Sequence, residues 1–238
     1  MRYVIRQIRR VCTRFVENGA LELALVVILL AVVVSACGSH HKAKGAPKDL
    51  IVRCEANRAT RAGAQADPKA VVLRRADLPS GFGSYSSYQT IEEAALHGNS
   101  TVSQYRSFGF ERSYGSQLGK GPWYAPLYGI SATTNVFRTQ NGAERSLTQK
   151  LRFIRSRQQS DPRYRHRFSL SERIGDKAYL YGSVGFVRYG SGALRRERFY
   201  VLSWRHGNLE SSLVAQGREM SVSDVIALAK CEDSRTLR

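Results

Sequence analysis

Apolar residues run longest near the start of the chain. Residues 21–37 read LELALVVILLAVVVSAC, with an apolar core from Leu23 to Ala36. That core is shorter than the ~20 residues needed to cross the hydrocarbon layer as a helix. Beyond it the pattern becomes periodic. Ile130, Ala132, Thr134 and Val136 alternate with their neighbours, which predicts a half-buried strand. The period then lengthens. Ala143, Leu147, Leu151 and Ile154 form one apolar helix stripe, with Glu144 at its start, Arg152, Arg155 and Arg157 at its end, and Pro162 as its stop. Lys177–Val187 and Phe199–Trp204 are apolar on both faces, the pattern of central strands covered on each side. His206-Gly207-Asn208 is a tight turn into Leu209–Ala215, so a hairpin is predicted there. Ser221-x-x-Asp224 is a capping box opening a helix that carries Val222, Val225, Ile226, Ala229 and Cys231.

The stretch before residue 130 is more broken. Residues 51–70 predict a short helix or an irregular arm ending at Asp67-Pro68. Val71–Leu73 predicts a strand, with Pro79 and Gly81 marking the turn after it. Thr90 caps a short helix from Ile91 to Leu96, stopped by Gly98. Thr101-x-x-Gln104 opens a second, ended by Gly109. Phe110–Leu118 predicts a strand, and residues 119–129 (GKGPWYAPLYG) a loop. The strand–helix unit at 130–157 recurs in outline at 209–232. Antiparallel strands interrupted by helices imply an α+β fold, a curved antiparallel sheet with helices packed on it.

Charge turns the first apolar run into an address. Arg2, Arg6, Arg9, Arg10 and Arg14 precede it, small Ser35 and Ala36 close it, and Cys37 follows. This is the order of a lipoprotein signal peptide: positive n-region, apolar h-region, small residues, one cysteine. Residues 1–36 are then the leader, cut between Ala36 and Cys37, and Cys37 takes the lipid. Two acyl chains hold a protein firmly on a bilayer where one holds it only marginally. Arg9-Arg10 raises twin-arginine export, but Cys12 stands where that motif has an aromatic, and general secretion fits better. Residues 37–50 are small and basic and predict a flexible tether; residues 51–238 form a single extracytoplasmic domain. The expected location is the outer face of the cell membrane, lipid-anchored. In that oxidising setting Cys54 and Cys231, which lack metal-type spacing, most simply pair. The loop of about 177 residues gives a chain-entropy stabilisation of roughly 4–5 kcal/mol.

The chain has 37 basic and 19 acidic residues. The leader holds five and two of them, which leaves 32 basic against 17 acidic, a net charge of +15. Such an excess fits an anionic neighbour, a lipid head group or an acidic wall polymer; export argues against nucleic acid. Arg152, Arg155, Arg157, Arg163, Arg165 and Arg167 make the densest basic patch. It reads either as a surface for such a neighbour near the anchor or as the solvated face of a helix and its exit loop. Tyr105, Trp123, Tyr124 and Tyr128 crowd another stretch. They read either as a groove for sugars or lipids or as ordinary sheet packing.

Catalytic signals are thin. Gly129-Ile130-Ser131-Ala132-Thr133 lacks the second glycine of a nucleophile elbow. Asp176 and Glu210 would suit acid–base work only if brought within ~5–9 Å. His97, His166 and His206 are dispersed, and His40-His41 sits in the tether, so neither a metal nor a cofactor is implied.

Three segments are together similar to small lipoproteins of high-GC actinobacteria, over roughly residues 70–232. They are Asp77-Leu78-Pro79-Ser80-Gly81-Phe82 (a DLPxG(F/W) element), Ser103-Gln104-Tyr105-Arg106, and Arg173-Ile174-Gly175-Asp176-Lys177-Ala178, a turn before a strand. Lys177 stands where that pattern has an acidic residue. More distantly the chain resembles PsbP-like lipoproteins and the extracellular sensor domains of receptor kinases. The resemblance implies an α+β binding or accessory module without catalysis. A hydrolase of wall or lipid material, or a partner subunit of a membrane complex, are the rival expectations.

Overall fold

The computed structural model describes residues 50, 52, 54, 67–121, 127–188 and 194–236. All of them fall within one unit, Lys48–Arg238. Seven strands make one curved antiparallel sheet: β1 (Gly83–Gln89), β2 (Phe110–Lys120), β3 (Tyr128–Phe137), β4 (His166–Phe168), β5 (Lys177–Arg188), β6 (Leu194–His206) and β7 (Leu209–Gly217). Their order across the sheet is β1-β2-β3-β7-β6-β5-β4. Five helices accompany them: α1 (Pro68–Val71), α2 (Ile91–His97), α3 (Val102–Ser107), α4 (Gln140–Arg157) and α5 (Val222–Asp233). None of the described helices is long and apolar enough to cross a membrane.

Local chemistry sets the helix ends. Thr90, Thr101 and Ser221 each accept a hydrogen bond from the backbone three residues on, and Glu93, Gln104 and Asp224 reach back to complete the boxes. The predicted stripe Ala143, Leu147, Leu151, Ile154 is the buried apolar face of α4; Ser146 and Lys150 are buried beside it.

The sheet has two unlike faces. Directly paired residues point the same way, and β3 pairs with β7 as Ile130 with Ala215 and Ala132 with Leu213 on one side, and as Thr133 with Ser212 and Asn135 with Glu210 on the other. The first face is dry. It packs Leu180, Leu202, Trp204, Leu213 and Tyr114 against Val225, Leu228 and Ala229 of α5 and against Val72, Leu73, Leu78 and Phe82. The second face carries α4 over Tyr181 and Val201, while Tyr105, Phe108 and Phe137 close a smaller aromatic cluster against Ala143.

Two expectations are corrected. Val71–Leu73 forms no strand: α1 ends at Val71 and the strand follows the Pro79–Gly81 turn as β1. The reason lies in α5 and the turn after it. Arg235 donates to the carbonyls of Val71 (3.1 Å) and Val72 (3.0 Å), and Glu232 accepts from the Leu73 amide at 2.7 Å. Side chains therefore satisfy the backbone groups that a ladder would have used. Arg235 also pairs with Asp77 of the DLPxG element, both fully buried. Likewise β5 is central only in part. β4 pairs with residues 180–182 alone, and beyond them Val184 and Phe186 are exposed.

Cys54 and Cys231 are joined by a disulfide, with Cα atoms 5.3 Å apart and a sequence separation of 177. The turn before β5 is tied to the same end of the molecule. Gly175 has φ of 55° and donates to Asp233 at 2.8 Å; a Cβ there would lie 2.4 Å from the Arg205 carbonyl oxygen, so only glycine fits. Asp176 then accepts from Arg205 (2.8 Å) and the Gly207 amide (2.9 Å).

Glu232 is the buried acid of this junction. Burial is the main cause that pushes its carboxyl up to about 8 from 4.5. A group raised in the folded state stabilises fully below its unfolded value and loses that contribution as pH climbs to the folded one. His206, raised chiefly by its hydrogen bond to Asp233, has the same sign. The unfolding free energy of the wild type should therefore fall relative to Glu232→Gln between pH 4.5 and 8 and level off above that. Urea unfolding of both proteins across this range checks it; a constant difference would remove the buried acid from the account.

Candidate functional site

The polar face of the sheet is covered unevenly. Helix α4 packs on β3, β6 and β7, α2 on β1 and β2, and α3 on β2. The upper part of β1, β2 and β3 is left open. Two transverse rows of residues make its floor. In the outer row Gly83 pairs with Gly119, Gly119 with Gly129, and Gly129 with Gln216. In the next row Tyr85 pairs with Gln117, Gln117 with Ser131, and Ser131 with Val214. Together they line an open groove of about 500 Å³. Tyr85 is 68% exposed and forms its wall.

The three aligned glycines are not demanded by the backbone. None has a positive φ. A Cβ on Gly83 or Gly119 would meet nothing nearer than 3.8 Å, an ordinary contact, and one on Gly129 would meet the flexible Gln216 side chain at 3.3 Å and the Gln216 carbonyl oxygen at 3.7 Å. Glycine inside a strand weakens it and often marks a place where something approaches the backbone closely.

Ser131 and Val214 also line a second, smaller cavity of about 40 Å³. Its other walls are His97, Gly98, Thr133, Asn135, Lys150 and Ser212. At its base Lys150 donates to Glu210 at 2.5 Å, and both side chains are almost wholly buried. Asn135 donates to the other Glu210 oxygen at 2.8 Å and approaches the Tyr105 hydroxyl at 3.5 Å. Its own carbonyl oxygen Oδ1 is buried without a partner. Burial first, and then the Glu210 charge, hold the Tyr105 phenol well above its usual range.

The residues singled out from sequence separate. Tyr105 does not line a groove: it is fully buried in the aromatic cluster with Phe108, Phe110 and Phe137. Tyr128 packs against Phe82 in the dry core and is also one of the residues lining the groove. Trp123, Tyr124, Ala36 and Cys37 lie outside the described residues. Arg152, Arg155, Arg157, Arg163, Arg165 and Arg167 are all exposed. Arg157, Arg163 and Arg167 rest over the rings of Phe153, Phe199 and Tyr179. This patch lies on the α4 side of the sheet, whereas Leu50, which donates to Asp224, and Cys54 join the α5 side. Asp176 and Glu210 are each held by a separate cation, Arg205 and Lys150. Sequence reading missed Lys150, Asn135 and the glycine row. A lysine within the apolar stripe of α4 was the one local signal; the glycine alignment exists only once the register is known.

No family model matches the chain, and no curated protein matches it. Among solved structures it is similar to the extracellular domain of PknH from Mycobacterium tuberculosis, at 11% identity and a TM-score of 0.44, covering 71% of this chain and 94% of that one. A putative uncharacterized protein of Mycobacterium smegmatis, an Rv0999 ortholog, is similar at 6% identity and a TM-score of 0.29, covering 68% and 90%. Neither likeness bears on function.

Removing one partner of a buried pair strands the other charge, at a cost of about 3–5 kcal/mol. Lys150→Met should be destabilised by that order, and adding Glu210→Gln should restore most of the loss. Urea unfolding of the two single variants and the double variant checks this; an additive double variant would mean that the two groups do not depend on each other.

Proposed function

We propose that this is a lipid-anchored protein of the cell envelope that binds a ligand without transforming it, and that the groove on the open face is where the ligand lies. The observation carrying this reading is the alignment of Gly83, Gly119 and Gly129 in one row, where neither backbone angle nor packing calls for glycine. A smooth floor with Tyr85 beside it and hydrogen-bonding groups at Gln117, Ser131 and Gln216 suits a ligand laid along the sheet. The groove opens to solvent.

The absence of catalysis is part of the proposal. Glu210 and Glu144 are engaged by cations. His97 and Ser131 line the same small cavity, yet no hydrogen bond joins them among the described residues. The anchor rests on the leader and Cys37, and the disulfide suits an extracytoplasmic site.

Two measurements test the reading. Intact mass of the native protein should show the chain cut before Cys37 and carrying a diacylglyceryl group, and Cys37→Ala should leave the membrane fraction; an uncut, unacylated product would overturn the anchor. Separately, Ser131→Trp, a half-buried position in mid-groove, should fold with a Tm near the wild type. A small molecule seen by native mass spectrometry on the wild type should be missing from it. Equal loading of both proteins would move the binding site elsewhere.

A further inference from the structure

One end of the sheet gathers three features. The first is a ribbon. β7 ends at Gly217, which pairs with Arg198, and β4 pairs with β5 only as far as Gly182. The pairs Gly185–Glu197, Phe186–Arg196, Val187–Arg195 and Arg188–Leu194 lie beyond both neighbours, so β5 and β6 project past the sheet as two strands alone. The second is apolar surface on that ribbon. Phe186 is 71% exposed and Val184 47%. Residues two apart on a strand share a face, and the partners of these two are Arg196 and Arg198. Arg196 is exposed, as is Arg218, which follows Gly217 directly. Glu197, the one acid within residues 183–198, belongs to the opposite face. The third feature is the arrival of the chain from its N-terminal side. The Leu50 amide donates to Asp224 in the first turn of α5 at 2.5 Å. Arg198 donates to the Met220 carbonyl just before that helix at 2.9 Å. Leu50 thus enters the domain near the base of the ribbon. It does so on the face that carries Phe186, because Leu180, Tyr200 and Leu202, in step with Phe186 along the two strands, share the dry core with Leu50.

We infer that this ribbon lies against an anionic bilayer, with Phe186 and Val184 entering the interface while Arg196, Arg198 and Arg218 meet the head groups. This rests on the lipid anchor. Cys37 stands 13 positions before Leu50, and a chain of that length reaches no more than about 45 Å. An acylated Cys37 therefore keeps this end of the domain beside the membrane. An apolar patch left exposed marks a surface with a partner, and here the partner within reach is lipid. A membrane surface asks for apolar side chains with cations beside them, and each arginine near an anionic surface strengthens the contact by about fivefold. The basic patch of α4 stands on the other face of the sheet, away from the point where the tether joins.

Phe186→Trp in a Trp123→Phe background tests the inference, with buried Trp204 as the internal reference. The native acylated protein is placed in phosphatidylcholine vesicles, with and without phosphatidylglycerol, whose acyl chains carry bromine near the head group. Emission from the new indole should shift to the blue and be quenched where phosphatidylglycerol is present. Leu96→Trp serves as the control. It is an equally exposed position on α2, which follows the far end of β1, and it should not be quenched. Arg196→Gln should lower the quenching at position 186. Acylated protein that floats with the vesicles while the indole at 186 stays unquenched would overturn the ribbon contact and leave the anchor standing. Quenching as strong without phosphatidylglycerol, or as strong at position 96, would overturn it too. A chain that carries no acyl group fails the anchor alone. Mixed with the same vesicles, that chain keeps the ribbon contact if the indole at 186 is quenched and loses it if it is not.

Discussion

The pleat of β3 and β7 is the constraint on which the rest of the molecule depends. These two strands lie side by side at the middle of the sheet, and their register sends apolar residues to one face and polar residues to the other. A shift of one residue would put Glu210 and Asn135 into the apolar core and Leu213 and Ala132 against α4. That cost fixes the register. Once fixed, it places the strands on either side: Gly119 and Gly83 come opposite Gly129, and Gln117 and Tyr85 opposite Ser131. The groove is thus a by-product of the same pairing that builds the dry core.

Each face has its own fastening. On the dry face, α5 and the residues after it grip the segment before β1 through Arg235, Glu232 and the disulfide. Asp77 explains the DLPxG element: it accepts from the Arg74 amide at 2.7 Å and pairs with Arg235, so the motif is a buried latch between segments 158 residues apart. On the polar face a single buried carboxylate, Glu210, gathers Lys150, Asn135 and Ser146 from α4 and β3. Such a network is costly unless satisfied. Among the described residues its one unsatisfied atom is Asn135 Oδ1.

Exposed charge and buried charge have separate roles here. The arginines of α4 and of the segment after it spread over aromatic rings at the surface, where an isolated ion pair such as Arg163–Asp161 contributes little. They give the domain a basic side without supplying the groove. The domain's excess of positive charge therefore says nothing direct about what lies over the glycine row.

Hydrophobic period alone determined much of this protein. The stripe of α4, the capping boxes of α2, α3 and α5, the hairpin at Gly207, the alternation of β3 and the α+β class are all local or nearly local facts, and a sequence displays local facts. The pairing of Cys54 with Cys231 was legible too, because the two lack metal-type spacing and stand near the two ends of the domain. Long-range contact decided the remainder. Val71–Leu73 has the composition of a strand, but Arg235 and Glu232 took its hydrogen bonds. Residues 177–187 have the composition of a central strand, but β4 is too short to cover them. Tyr105 has the composition of a groove wall, but the rings of Phe108, Phe110 and Phe137 enclose it. Three glycines distant in sequence became one surface only when β1, β2 and β3 were laid in register, and no period along a chain can record which of its residues will stand side by side across a sheet.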